Sequence, residues 1–242
     1  MSDLFNNENS LDAVEAPLAD RMRPQSLDEV IGQNHLLGEK GPLQNMLTSG
    51  IFSSIILWGP PGVGKTTIAR LLADHSNSHF EQISAIFTGV GDLKKVFEAA
   101  KFRRTNGHKT IIFVDEIHRF NKSQQDSFLP FLEDGTIILI GATTENPSFE
   151  LNPAILSRVQ VLVLERLNNI DLKKLLERAE SVLGSKINLD LDAKIELLKV
   201  ADGDGRALLN LIENIISWEI FNPLTVKDLS IRLSKRLKKY DK

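Results

Sequence analysis

An apolar run, Ile55-Ile56-Leu57-Trp58, leads directly into Gly59-Pro60-Pro61-Gly62-Val63-Gly64-Lys65-Thr66, with Thr67 and a stretch of helical spacing behind it. Strand, glycine-rich loop and Gly-Lys-Thr at a helix start form a Walker A phosphate-binding loop in its expected context. Glycines let the backbone wrap an anion without Cβ clashes, so that successive N–H groups point inward. The helix starting near Lys65 adds its positive dipole end. Lys65 has the reach to contact β- and γ-phosphates, and the Thr66 hydroxyl is placed to ligate Mg²⁺. Residues 59–67 therefore constitute a nucleoside triphosphate site, and the chain around them must supply a parallel α/β sheet.

The rest of the chain agrees. Strand-length apolar runs at Ile55–Trp58, Phe80–Ser84, Thr110–Val114, Ile137–Ala142 and Val161–Leu164 alternate with helical spacing over Lys65–Ala73, Leu93–Phe102 and Gln124–Leu132. Several of the runs are apolar throughout, as in strands covered on both faces. After Glu165 the pattern changes: segments 169–183, 190–201, 205–220 and 225–239 all have helical spacing, with Leu172, Leu175, Leu176 and Ala179 forming one apolar stripe. Asp190 and Thr225 are candidate N-caps. The expectation is a five-stranded parallel α/β domain over 17–166 and a small all-helical domain over 167–242.

Composition narrows the setting. The chain has 242 residues, 42% of them hydrophobic, and no cysteine, which excludes disulfides and Cys-based zinc modules. No run approaches the length of a membrane span, and Met1-Ser2-Asp3-Leu4-Phe5 lacks a signal-peptide layout, so a cytoplasmic protein is expected. Residues 1–20 hold five acids and no Lys or Arg; residues 1–16 read as a disordered acidic tail. The remainder is close to neutral, which neither supports nor excludes nucleic-acid binding.

Ile111-Ile112-Phe113-Val114 ends in Asp115-Glu116, the Walker B arrangement. Ligands of open α/β sheets bind at the carboxyl ends of strands, so both acids should emerge beside the Walker A loop. Asp115 would hold Mg²⁺, directly or through water. Glu116 is placed to polarise the attacking water. The next strand ends in Ala142-Thr143-Thr144-Glu145-Asn146, where a hydroxyl or amide could stand between γ-phosphate and water. Arg158, in Leu156-Ser-Arg158, could neutralise charge on the γ-phosphate; its local chemistry equally fits a surface residue.

These features together resemble AAA+ ATPases of the clamp-loader branch. Leu18-Ala-Asp-Arg-Met-Arg-Pro24, Leu27-Asp-Glu-Val-Ile-Gly-Gln33, Asp115-Glu-Ile-His-Arg-Phe-Asn-Lys122 and Gly141-Ala-Thr-Thr-Glu-Asn-Pro-Ser-Phe149 are similar to the replication-associated recombination protein A family. The resemblance runs from about Pro17 to Lys242. It implies a P-loop AAA+ sheet with a helical lid, Thr144 as sensor 1, Arg158 as an arginine finger acting on a neighbouring subunit, and Arg206 as sensor 2. It matches Val30 and Ile31 to the part that packs on adenine, although ordinary core packing accounts for them as well. It implies Mg·ATP as cofactor, DNA (single-stranded or with duplex ends) as partner, a single-stranded-DNA-binding protein as a further partner, and a homo-oligomer. The family shows Gly-Asp-Ala-Arg-Arg more often than Gly203-Asp-Gly205-Arg206-Ala207, and lysine where Gly91 stands here. Its members continue past Tyr240-Asp-Lys242 into a C-terminal oligomerisation domain, so the sequence is expected to end at that junction, cut or naturally short.

The resemblance thus implies an ATPase that remodels DNA in replication-fork maintenance, recombination and repair, weak as an isolated module. A clamp-loader subunit, a branch-migration helicase motor and a non-hydrolysing nucleotide-gated adaptor share parts of the motif set. Glu116 is better placed than His118 as the base, and the resemblance puts His118 in a loop that couples hydrolysis to DNA or to a neighbour. The five histidines show no metal spacing. Trp58 and Trp218 read as core. Lys94, Lys95, Lys101, Arg103, Arg104, Arg119 and Lys122 could line a phosphate-tracking surface or be ordinary surface cations.

Overall fold

The computed structural model describes residues 16–218 and 222–240, so the expected acidic tail lies almost entirely outside the described residues. The chain divides into two units, one spanning Pro24–Arg166 and the other uniting the segment up to Arg23 with the chain from Leu167 onward.

The Pro24–Arg166 unit is built on a five-stranded parallel sheet of order β2-β3-β4-β1-β5, with β1 at Ile55–Trp58, β2 at His79–Ser84, β3 at Thr110–Asp115, β4 at Ile138–Thr143 and β5 at Gln160–Val163. β1, β3 and β4 are buried almost throughout, which explains their uninterrupted apolar sequences. One face of the sheet packs Ile55, Leu57, Ile111, Phe113 and Ile140 against Ile68 and Leu72 of helix Lys65–His75. The other packs Ile56, Ile112 and Val114 against Leu93 and Phe97 of helix Val90–Thr105, with Phe128 closing the cluster edge-on to Phe97. Each fully buried large side chain contributes about 1.5–3 kcal/mol by leaving water.

The helix expected over Gln124–Leu132 is instead two short helices, Lys122–Asp126 and Leu129–Glu133. Pro130 has no N–H to continue the first helix, so the chain turns at Ser127 and restarts with proline in the first turn of the second.

The other unit packs helices Asn169–Leu183, Leu191–Ala201, Gly205–Ile216 and Val226–Tyr240, with one isolated bridge between Leu189 and Leu224. Leu172, Leu176 and Ala179 are buried in its core beside Leu197, Leu208 and Ile212. Asp190 caps its helix by accepting from Ala193 N–H at 2.7 Å, and Thr225 exchanges hydrogen bonds with Asp228. Of the expected 205–220 helix, the part to Ile216 is observed, and residues 219–221 lie outside the described residues. The short helix Leu18–Arg21 corrects the expected boundary at residue 17. Leu18 and Met22 are buried in the helical core, and Leu18 N–H donates to Glu213 Oε1 at 2.9 Å. Those apolar residues satisfy themselves among helices rather than on the sheet.

Candidate functional site: a nucleotide cradle at the carboxyl edge of the sheet

β1 delivers the Walker A loop. Gly59 N–H donates to Thr143 O at 3.1 Å, which ties the loop to the tip of β4. A Cβ on Gly59 would stand 2.4 Å from Leu164 O, so the loop leaves the sheet through a gap that only glycine fits. Gly64, at φ +98°, turns the chain into helix Lys65–His75. Val63 is buried and pins the loop from beneath. Lys65 is buried with its Nζ donating to Gly59 O and Pro60 O, both at 2.7 Å. The first-turn N–H groups of that helix, those of Lys65, Thr66 and Thr67 among them, lack intrahelical acceptors, as at any helix start. A cradle of N–H donors with one ammonium inside it fits a polyphosphate.

β4 lies between β1 and β3, pairing Trp58 with Thr143 and Val114 with Gly141. The tips of β1 and β3 are therefore about 10 Å apart, two strand spacings, on the same edge. Asp115 ends β3, half-buried. Glu116 follows at φ 52°, ψ 47°, a left-handed conformation that costs a non-glycine residue about 1 kcal/mol or more. Fully buried Ile117 anchors this turn, and Gly141 makes the room for it: a Cβ there would meet Ile117 Cδ1 at 2.9 Å. Among the described residues, no group of three or more His, Asp or Glu side chains could enclose a metal by itself. Thr66 and Asp115 suit Mg²⁺, which keeps waters and phosphate oxygens as most of its ligands.

His118, which the resemblance puts in a coupling loop, stands beside Glu116 and the tip of β4. His118 Nδ1 lies 2.9 Å from Thr143 Oγ1 and 3.3 Å from Glu116 Oε2, with its side chain only 8% exposed. It belongs to the site interior. Thr143, the last residue of β4, is fully buried, and Thr144 follows it half-buried. Gln125 was given no role in the sequence reading. Its buried amide donates to Phe120 O at 3.0 Å and Glu150 O at 3.1 Å and accepts from Asn152 N–H at 2.7 Å, joining the segment after Glu116 to the one after Thr144. The Asp115-Glu-Ile-His spacing was a visible signal for the first; nothing local announced the second.

Val30 packs on the sheet core and Ile31 is half-buried. Their segment is fixed to the end of β5, because Gln33 Nε2 donates to Glu165 O at 2.7 Å and Glu165 N–H donates back to Gln33 Oε1 at 3.0 Å. Arg158 precedes β5 and pairs with Glu133, donating also to Ala154 O at 2.7 Å. Arg206 is exposed in the first turn of helix Gly205–Ile216, in the helical unit. Of the cations that could track phosphates, several already have partners: Arg103 on Glu81, Arg104 on Thr136 and Asp134, Lys95 on Asp92, and Lys101 over the Phe131 ring.

Residues 55–167 match the family described as ATPases associated with various cellular activities (AAA). Replication-associated recombination protein A of Coxiella burnetii is 50% identical over 209 residues, 84% of this chain and 47% of that protein. The protein of the same name from Escherichia coli K12 is 48% identical over 202 residues, 81% of this chain and 45% of its own. The chain thus spans about half the length of these curated relatives. Among solved structures, the Holliday junction branch migration motor RuvB of Thermotoga maritima superposes with a TM-score of 0.70 at 25% identity, over 88% of this chain and 72% of that one. No helix among the described residues is long and apolar enough to cross a membrane.

Proposed function

The chain belongs to the AAA ATPases and, among them, to the replication-associated recombination protein A family, and from that premise we propose that it hydrolyses Mg·ATP to remodel DNA during replication-fork maintenance, recombination and repair. The observation that carries the reading is the shared edge: the Walker A loop after β1 and Asp115-Glu116 after β3, with β4 alone between them. Residues 59–67 cradle the phosphates, and Val30 and Ile31 take the adenine side. Thr66 and Asp115 hold the ion, which would neutralise phosphate charge. Glu116 takes the proton of the attacking water, held with help from Thr144. Arg158 serves a neighbouring subunit's nucleotide, and Arg206 is the sensor 2 residue of the helical unit. The partners this reading names are DNA with single strands or duplex ends, further copies of the chain, and a single-stranded-DNA-binding protein.

Glu116→Gln tests it. The variant should bind ATP as the parent does and lose about 10²–10⁴-fold in turnover. ATP binding with no turnover in either protein would support a nucleotide-gated adaptor instead, and equal turnover in both would remove Glu116 as the base. Steady-state hydrolysis with and without single-stranded DNA and duplex ends tests the DNA arm, and no stimulation by either would remove it.

A further inference from the structure

We propose that His118 is a positioning residue that sets the orientation of the Glu116 carboxylate by donating its Nδ1–H between Glu116 and Thr143. The inference rests on the reading of Glu116 as the base.

The hydrogen-bond partners around Nδ1 point to the tautomer that the proposal takes. Thr143 Oγ1 accepts from Glu145 N–H at 3.0 Å and lies 3.2 Å from Glu145 O, an acceptor for its own hydrogen. A hydroxyl used in this way has only a lone pair left for His118. An ionised Glu116 is likewise acceptor-only. Two acceptors therefore face one ring nitrogen, at 2.9 and 3.3 Å, and a bare lone pair on Nδ1 would be repelled by both. In this tautomer Nδ1 carries a hydrogen, and Glu116 and Thr143 compete for it.

The competition has a mechanical consequence. Thr143 is bonded through its carbonyl to Gly59 N–H, so the β4 tip moves with the phosphate loop. Glu116 stands on a left-handed turn closed by Arg119 N–H to Glu116 O at 2.8 Å. Donation to Thr143 leaves both Glu116 oxygens to accept from water, and donation to Glu116 occupies one of them. A shift of the β4 tip by a few tenths of an ångström is enough to change which acceptor is nearer. His118 thereby transmits the state of the phosphate loop to the base.

The test compares the full chain with His118→Ala and His118→Asn, whose side-chain N–H₂ falls close to the Nδ1–H position. His118→Ala should lose roughly 10- to 100-fold in kcat, the cost of a misplaced catalytic group, with ATP affinity within about twofold of the parent. His118→Asn should recover most of that loss. Wild-type turnover in His118→Ala overturns the proposal, as does a folded His118→Asn no faster than His118→Ala. Should the alanine variant melt early, His118→Asn against the similarly sized His118→Leu makes the same decision. Glu116→Gln is run alongside: hydrolysis that survives it sinks the function reading together with this one, whereas hydrolysis lost in Glu116→Gln but intact in His118→Ala sinks only the role of His118.

Discussion

Lys65 and Arg158 stand at opposite ends of one parallel sheet. Lys65 opens the helix after the carboxyl end of β1, whereas Arg158 lies two residues before Gln160, the residue of β5 paired with Ile55 at the amino end of β1. The four residues of β1 separate Gly59 from the level of Gln160, on the order of 13 Å, and Arg158 lies in the turn before Gln160, paired with Glu133 and out of reach of the phosphate loop. If Arg158 acts on a γ-phosphate, that phosphate belongs to another subunit.

Complementation follows from this separation. Lys65→Ala and Arg158→Ala should each lose nearly all ATPase activity, the first through ATP affinity and the second through kcat, by up to about 10³–10⁵-fold. Mixed together they should regain part of the parent rate, because Lys65→Ala subunits still donate Arg158 to Arg158→Ala sites. The parent's specific activity should rise with protein concentration. A monomeric sample turning over at roughly 10 per second or faster would refute action across subunits.

Gly59 is constrained by its neighbour as much as by its ligand. Gly59→Ala places a Cβ against the Leu164 carbonyl, so backbone must move. The expected cost is about 1–3 kcal/mol of stability, with weakened ATP binding, by denaturant titration and nucleotide fluorescence. Unchanged values in both would show that the strand exit tolerates a methyl group.

Gln125→Ala removes one buried and two part-buried hydrogen bonds and leaves Phe120 O, Glu150 O and Asn152 N–H without the amide. At about 1–3 kcal/mol per unsatisfied buried group, partly relieved by water, a loss of roughly 2–4 kcal/mol is expected. Chemical denaturation giving less than about 1 kcal/mol would mean that water replaces the amide.

Glu180 gives the helical unit a pH dependence. Burial raises its pKa, but the hydrogen bond from Lys194 at 2.7 Å, the Ile187 N–H and the Lys194 and Lys186 charges together hold it below the usual value. A folded pKa below the unfolded one adds stability that is complete above the unfolded value and is lost as pH falls through the folded one. Glu180→Gln should therefore destabilise by about 1–2 kcal/mol at pH 7, and the gap should close below about pH 4. A gap of constant size between pH 7 and pH 3 would contradict this.

Where the sequence was legible, the cause was local. β1, the helix Lys65–His75 and the helix Asn169–Leu183 follow from apolar runs, a glycine turn and an i, i+3, i+4 stripe, each contained in a dozen or so residues. Pro130 was equally visible, and the helix it interrupts was misjudged because the apolar spacing on either side stays in phase.

The sequence by itself determined the phosphate loop, the acid pair after β3 and the alternation that builds a parallel sheet, since each depends on neighbours along the chain. Only tertiary structure decided that Leu18 and Met22 join the helical core, that Gln125 joins the segments after Glu116 and Thr144, and that His118 stands between Glu116 and Thr143. The Gln125 and His118 contacts arise from strand order and register, which bring together residues 25 positions apart (His118 and Thr143, Gln125 and Glu150). Hydrogen-bond satisfaction in a buried space then selects among them, and no local pattern of side chains encodes that choice.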